Sequence, residues 1–415
     1  MASPRLRIAA ATLVAVAASL TMTSAHAATD STSITRWSTS AEFAKGTLNG
    51  VKISNGAITI SKPVASYIYA DSYGDRTKHK FSYSSWTSPW ANTGFNAKTI
   101  IPSWNVSDAP NGTWIRIDVR GKTATRTGSW DRIADWGYGT AGTHRQSGTR
   151  QADDYSMVDV DTVVTNSSSS YRSWQVRVIL LRPYGATTTP KLSSIGAVAA
   201  SYSTRAAALS TTTMTANTEL AVPRSSQMIH RGEYPQWGGG GASWCSPTSV
   251  SMVLRYFRTG PKPADYSWSR YADSFVDYAA RYTYDYRYDA AGNWPFNTAY
   301  AGRYGLDAFV TRLANLRDAE AFIKKGIPVV ASVRYAKGAL TGSAVASSSG
   351  HLLVIVGVLK DGRVVVNDPA ASSNSTVRRI YNRAQFEKAW LGGSGGVSYI
   401  IHPTSKPLPT DTARW

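Results

Sequence analysis

Gly240-Gly241-Ala242-Ser243-Trp244-Cys245-Ser246-Pro247-Thr248-Ser249 carries the one cysteine of a 415-residue chain. The glycines leave the backbone free to take angles that other residues avoid. Ser246 is a good N-cap, and Pro247 suits a first helical turn. Val250, Val253, Leu254 and Phe257 then recur at helical spacing. The thiol is therefore expected at the positive end of a helix, where the dipole favours thiolate. A structural cysteine would more naturally lie within an apolar run, and this one lies between a glycine loop and a helix start. It reads as a nucleophile.

A nucleophilic thiol needs a base, and the chain has six histidines. His79 and His144 fall in the first half, His230 precedes the glycine loop with no obvious partner, and His402 follows Tyr399-Ile400-Ile401. His351 differs from these. It follows Ser347-Ser348-Ser349-Gly350 and opens an apolar strand over residues 352–358. After the turn pair Asp361-Gly362 the chain returns as Val364-Val365-Val366 and reaches Asn367-Asp368-Pro369. Such a hairpin brings Asp368 back towards His351, where a carboxylate fixes the tautomer and stabilises the charged ring. Asn367 is the alternative orienting residue. A tight two-residue turn would leave Asp368 opposite Ile355, so a longer turn or a bulge is required. Acyl transfer also needs oxyanion donors. The Cys245 backbone N–H can be one, and the side-chain amide of Gln227 or of Gln236 the other. Trp244, Trp294 and Gly350 are expected along the substrate cleft. One cysteine and scattered histidines point to no metal site and no cofactor.

Outward from these motifs, the second half mixes helices and strands. Residues 316–325 read as a helix stopped by Gly326, residues 383–391 as another, and residues 329–333, 352–358 and 364–366 as strands. This is an α+β pattern. The aromatic segment 266–296 either walls the cleft or packs an insertion, and Asn293-Trp294-Pro295 reads as a tight turn. The first half, residues 29–201, is all-β. Ile115, Ile117 and Val119 alternate with Arg116, Asp118 and Arg120, and Trp174, Val176, Val178 and Leu180 repeat the pattern. An antiparallel sandwich buries such strands. Trp86, Trp90, Phe95, Trp104 and Trp114 either fill its core or form a carbohydrate-stacking platform. Either way this half is expected to be a non-catalytic accessory. Residues 202–217, rich in Ala, Ser and Thr, read as a linker.

Arg5 and Arg7, an apolar run over residues 8–20 and Ala25-His26-Ala27 form an export signal with a mature start at Ala28. No apolar run reaches the roughly 20 residues of a membrane span. The expected divisions are residues 1–27 (signal), 28–201 (β-sandwich), 202–217 (linker), 218–405 (catalytic domain) and 406–415 (tail). The net charge of +19 is split almost evenly between the halves. It forms no basic run that would track a phosphate backbone, so nucleic acid is not an expected partner. Anionic envelope polymers suit such diffuse charge better.

From Val222-Pro223 and Ser226-Gln227, through Gly240-Gly241 and Trp244 to Ser249, to Gly350-His351-Leu352-Leu353-Val354 and Asn367-Asp368-Pro369-Ala370, residues 220–403 resemble the cysteine peptidase family 39-like proteins. These are papain-fold relatives of the bacteriocin double-glycine leader peptidases. The resemblance implies a papain-like α+β fold with Cys245 as nucleophile, His351 as base and Asp368 as orienting residue. It also implies Gln227, rather than Gln236, at the oxyanion. The function expected is a secreted hydrolase that cleaves peptide or related amide bonds through a thioester acyl-enzyme. Two alternatives stand beside it: a non-catalytic envelope- or carbohydrate-binding protein with an inactive papain-like domain, and a peptidoglycan amidase or endopeptidase.

Overall fold

The computed structural model describes residues 30–206 and 209–410. The expected signal, the Ala28 start and the end of the tail lie outside the described residues. Among those described, no helix is long and apolar enough to cross a membrane.

The first half folds as two antiparallel sheets over a shared core. One has the strand order Ser156–Asp159, Thr162–Thr165, Thr99–Asp108, Lys191–Ala200, Ala57–Ile60, Val51–Ser54, with Thr32–Trp37 also on Lys191–Ala200. The other is centred on Trp114–Lys122, Tyr171–Pro183 and Lys78–Thr87. Ile115, Ile117 and Val119 point into the core with Val176, Val178 and Leu180, as their alternation predicts. Their polar neighbours form cross-strand ion pairs: Arg116 Nε lies 2.6 Å from Asp135 Oδ1, and Arg177 Nη2 lies 2.7 Å from Asp118 Oδ2. Trp86, Trp104 and Trp114 are fully buried, so most of the aromatic set is core. Trp90 and Phe95 instead line a surface groove with Lys122 and Arg172.

The second half is one antiparallel sheet with helices on both faces. Its order is Asp307–Arg312, Val397–His402, Val329–Tyr335, Ser348–Val358, Val364–Asn367, Arg378–Tyr381. The helix Cys245–Tyr256 covers one face, packing Val250, Val253 and Leu254 with Val354, Val356 and Val365. Leu316–Lys324 and Arg383–Ser394 cover the other, with Phe322, Ile323, Phe386 and Trp390 against Leu353, Ile355 and Val366. The aromatic segment supplies two further helices, Ser274–Thr283 and Trp294–Gly302. Asn293-Trp294-Pro295 is thus a helix start rather than a tight turn: Asn293 Oδ1 accepts the Phe296 N–H at 3.1 Å, and proline is tolerated there because it lacks the N–H that a first turn leaves unpaired.

The two halves share an extensive interface. The strand Asp307–Arg312 ends the second sheet, and a bare edge would expose unpaired backbone groups. Asn105, from the first half, covers it: Nδ2 donates to Ala308 O at 2.9 Å, and Oδ1 accepts from Ala308 N at 3.0 Å. Ser103 Oγ accepts from Val310 N two residues on. Beside them Arg36 pairs with Asp307 through both terminal guanidinium nitrogens, Nη1 and Nη2. The stretch expected as a loose linker is tied down as well. Glu387 accepts the Ser210 N–H at 2.8 Å, Glu320 accepts the Thr213 N–H at 2.8 Å, and Met214 is buried in the core. Both glutamates are fully buried, and Arg383 balances Glu320 at 2.7 Å. A sequence rich in Ala, Ser and Thr gives no sign that buried carboxylates elsewhere hold it.

Candidate active site

The glycine loop takes the left-handed conformation at each of Gly238, Gly239, Gly240 and Gly241 (φ 90, 76, 60 and 47°). At Gly240 a Cβ would collide with the His230 carbonyl, so glycine is required there twice over. The helix begins at Cys245 itself, with Trp244 in the capping position and no side-chain cap. The expectation of Ser246 as N-cap is therefore corrected: its hydroxyl lies within the first turn and bonds the Tyr399 hydroxyl at 2.9 Å. No acidic residue occupies the first turn. The positive helix end therefore acts on the thiol without a competing carboxylate.

His351 lies in the strand Ser348–Val358 and is nearly buried. The hairpin closes by both devices that the register demanded. Leu359 pairs with Arg363 around a three-residue loop, and the ladder shifts between Ile355 and Gly357, leaving Val356 as a bulge. Asn367 then stands opposite Val354. Asp368, one residue on, is brought within diagonal reach of His351, and the two side chains bridge that gap: His351 Nε2 and Asp368 Oδ1 are 2.7 Å apart. With Nε2 engaged by Asp368, Nδ1 is the ring nitrogen left for Cys245, whose thiol His351 favours in its ionised form.

Burial alone would raise the Cys245 thiol. The hydrogen bond and charge of His351, with backbone N–H groups of Leu352 and Ser246, outweigh it and hold the thiol below its ordinary value. Burial likewise opposes charge on His351, but the charge and hydrogen bond of Asp368, followed by Cys245, push it up to about 10. The Asp368 carboxyl is held low despite its burial, by His351, then by the Tyr381 hydroxyl and the Ala370 N–H. Tyr381 Oη donates to Asp368 Oδ2 at 2.7 Å, and Ala370 N donates to Oδ1 at 3.0 Å. The arrangement favours a thiolate–imidazolium pair backed by a buried carboxylate.

The remaining expectations divide. The Gln227 backbone N–H donates to Pro369 O at 2.8 Å and its side-chain amide to Gly241 O, so this residue joins the glycine loop to the Asp368 turn. Gln236 is exposed. Asn367 does not orient His351: its amide donates to Val222 O at 3.1 Å. Trp244 is not in the cleft either. It is fully buried, donating Nε1–H to Trp237 O at 2.7 Å, because the first helical turn directs it into the aromatic cluster with Trp237, Val276 and Tyr284. Trp294 and Gly350 do line the cleft, together with Cys245, Tyr288, Ser332 and Arg312. Its volume is about 680 Å³.

Two features escaped the sequence. The first half lines this cleft through Asp159, Val160, Asp161 and Thr162, so it is not a mere accessory to the site. Asp161 Oδ2 accepts the Trp294 N–H at 2.8 Å, linking the halves at the cleft wall. The second is a cluster that could hold a metal. His230 Nδ1 lies 2.8 Å from Glu233 Oε2 and 3.0 Å from Asp277 Oδ1, the latter brought in from a different helix. Both spacings are also hydrogen-bond spacings, and burial, which would lower the imidazole, is outweighed by Asp277 and Glu233, which raise it. His230 thus has partners after all, and they favour its charged form.

A family model for the Peptidase_C39 like family matches residues 219–396, and one for the Peptidase C39 N-terminal domain matches residues 33–200. No curated protein and no solved structure matches the chain. The two models fall in order on the two halves: the second half belongs to the peptidase C39-like family, and the first matches the N-terminal domain model of such peptidases.

Proposed function

We propose that the protein is an exported, papain-like cysteine peptidase in which Cys245 is the nucleophile, His351 the general acid and base, and Asp368 the orienting carboxylate. The observation that carries this reading is His351 held at 2.7 Å by Asp368 through Nε2, with Nδ1 left for a thiol at a helix start. A cysteine helix packed on an antiparallel sheet that carries the histidine and the carboxylate supports the papain-like description.

The Cys245 thiolate attacks the carbonyl carbon of a peptide or related amide. The oxyanion forms against the Cys245 backbone N–H and the second N–H of the Gln227 amide, whose first holds Gly241. His351 gives its Nδ1 proton to the leaving amine as the C–N bond breaks, leaving a thioester. Water, deprotonated by His351, then releases the acid and restores the thiol. Incubation with peptide libraries and purified peptidoglycan, read by mass spectrometry, tests this. Cleavage is expected from the wild type and not from Cys245→Ala, and hydrolysis retained in that variant refutes the mechanism.

A second reading, attachment to an envelope polymer, is favoured by the groove of Trp90 and Phe95 flanked by Lys122 and Arg172. Trp90→Ala should then reduce cosedimentation of the protein with cell walls. Unchanged cosedimentation removes this reading.

A further inference from the structure

We propose that Arg312 anchors a subsite for a carboxylate of the substrate, making the protein selective for peptides that present an acidic side chain or a free C-terminus at that point. The proposal rests on the reading of Cys245 as nucleophile in the same cleft.

Arg312 ends the strand Asp307–Arg312 and lines the cleft that contains Cys245, although only 3% of its surface is exposed. Its Nη1 donates to Ser203 O at 3.0 Å and to Ser394 O. Its Nε is buried with no partner. Among the described residues no carboxylate lies within ion-pair distance of it. A buried guanidinium normally has one, because desolvating a charge without a counter-charge is costly. Arg116, also buried, and Arg383, half-buried, are paired with Asp135 and Glu320 in this way. Arg145 resembles Arg312 in lacking a carboxylate, but it closes on three carbonyl oxygens at the domain interface, away from the cleft. Arg312 is therefore the buried cation that the cleft leaves with unspent donors and an unbalanced charge.

The surroundings reinforce this. Arg334 also lines the cleft, and Arg205, stacked with Arg312 around Tyr202, has its own Nε unpartnered. The nearest acid wall is Asp159 and Asp161, across the cleft in the first half. Burial, with the charges of Asp285 and Asp159, pushes Asp161 up to about 7, so at neutral pH it is a weak counter-ion for Arg312. The site is also shaped around the guanidinium: a Cβ at Gly395, in the left-handed conformation, would collide with Arg312 Nη1. A planar fork in a partly dry cleft recognises a carboxylate through paired, charge-assisted hydrogen bonds.

Bromoacetyl tripeptides test the proposal. Each position carries Glu or Gln in turn, and each peptide is made as the C-terminal acid and as the amide. The readout is the rate of Cys245 alkylation in the full chain. In the wild type one acidic peptide should react about tenfold or more faster than its neutral partner, and the preference should shrink as sodium chloride rises. A preference at one Glu position identifies a side-chain carboxylate, and a preference for the acid over the amide identifies a terminal one. Arg312→Gln should bring the acid-to-neutral ratio close to one, and Arg312→Lys should keep part of it. Ratios near one throughout the wild-type series overturn the proposal without any variant, as does a ratio unchanged in a folded Arg312→Gln. Iodoacetamide separates the two readings. Should it label wild-type Cys245 no faster than a free thiol, the peptidase reading fails, while the peptide ratios still report on the subsite.

Discussion

Tyr381→Phe keeps the ring and removes one oxygen, and that oxygen is the donor to Asp368 Oδ2 at 2.7 Å. Asp368 is fully buried; its other bonds, from Ala370 N–H at 3.0 Å and His351 Nε2 at 2.7 Å, fall on Oδ1. The variant therefore leaves Oδ2 desolvated and without a donor. A hydrogen bond to a charged group contributes about 1.5–3 kcal/mol, and loss of one partner leaves the desolvation of the other uncompensated. Stability should fall by about that amount, which for a unit of 150–250 residues is a drop in Tm of about 3–12 °C. Asp368 is held low in the folded state, so its stabilising contribution is present at neutral pH and lost as pH falls through the carboxylate range. Urea titrations should thus show a wider gap between wild type and variant at pH 7 than at about pH 2, below the ordinary carboxylate value. Turnover should fall as well, because the carboxylate that supports the imidazolium is itself less well held. A variant that melts within about 1 °C of wild type would falsify the claim that Tyr381 sustains the buried charge.

Asp368→Asn removes the largest influence favouring charge on His351. Imidazolium in the wild type should persist until pH rises through about 10, giving the alkaline limb of turnover there. The variant should show that limb at lower pH, with activity reduced on the order of 100-fold or more, measured as a pH–rate profile. Asn105→Ala strips both bonds from the Ala308 backbone at the domain interface and should cost about 2 kcal/mol or more in denaturant titrations. Gly240→Ala combines a left-handed φ with a Cβ driven into the His230 carbonyl. It should destabilise the fold by at least about 1–3 kcal/mol and slow alkylation of Cys245.

The residues that make the site were legible because each lies in a short segment with its own local logic. Cys245 follows a glycine loop and precedes a proline-containing first turn, while His351 and Asp368 sit on one hairpin. The register gap between them was visible in the sequence; its resolution, by a three-residue loop together with the Val356 bulge, required the backbone. The misreadings share a cause. Ser246 has the chemistry of a cap, yet the cap position falls two residues earlier, on Trp244, whose side chain is turned into the core. Asp161, Tyr381 and Arg312 lie in segments with no motif and gain meaning through partners distant in the chain. The separation of the halves was overdrawn for a similar reason: alternation marks a sandwich but says nothing of Asn105 sealing another sheet's edge, or of the Asp159–Thr162 turn entering the cleft.

The thiolate–imidazolium pair is the centre of this account, and the pH dependence of Cys245 alkylation by iodoacetamide tests it most directly, in the wild type and in His351→Ala. The wild type should react at pH 6 about tenfold or more faster than glutathione, with an acid limb below the ordinary thiol range, and His351→Ala should shift that limb upward. Superposable profiles for the two proteins, both following an ordinary thiol, would contradict the account.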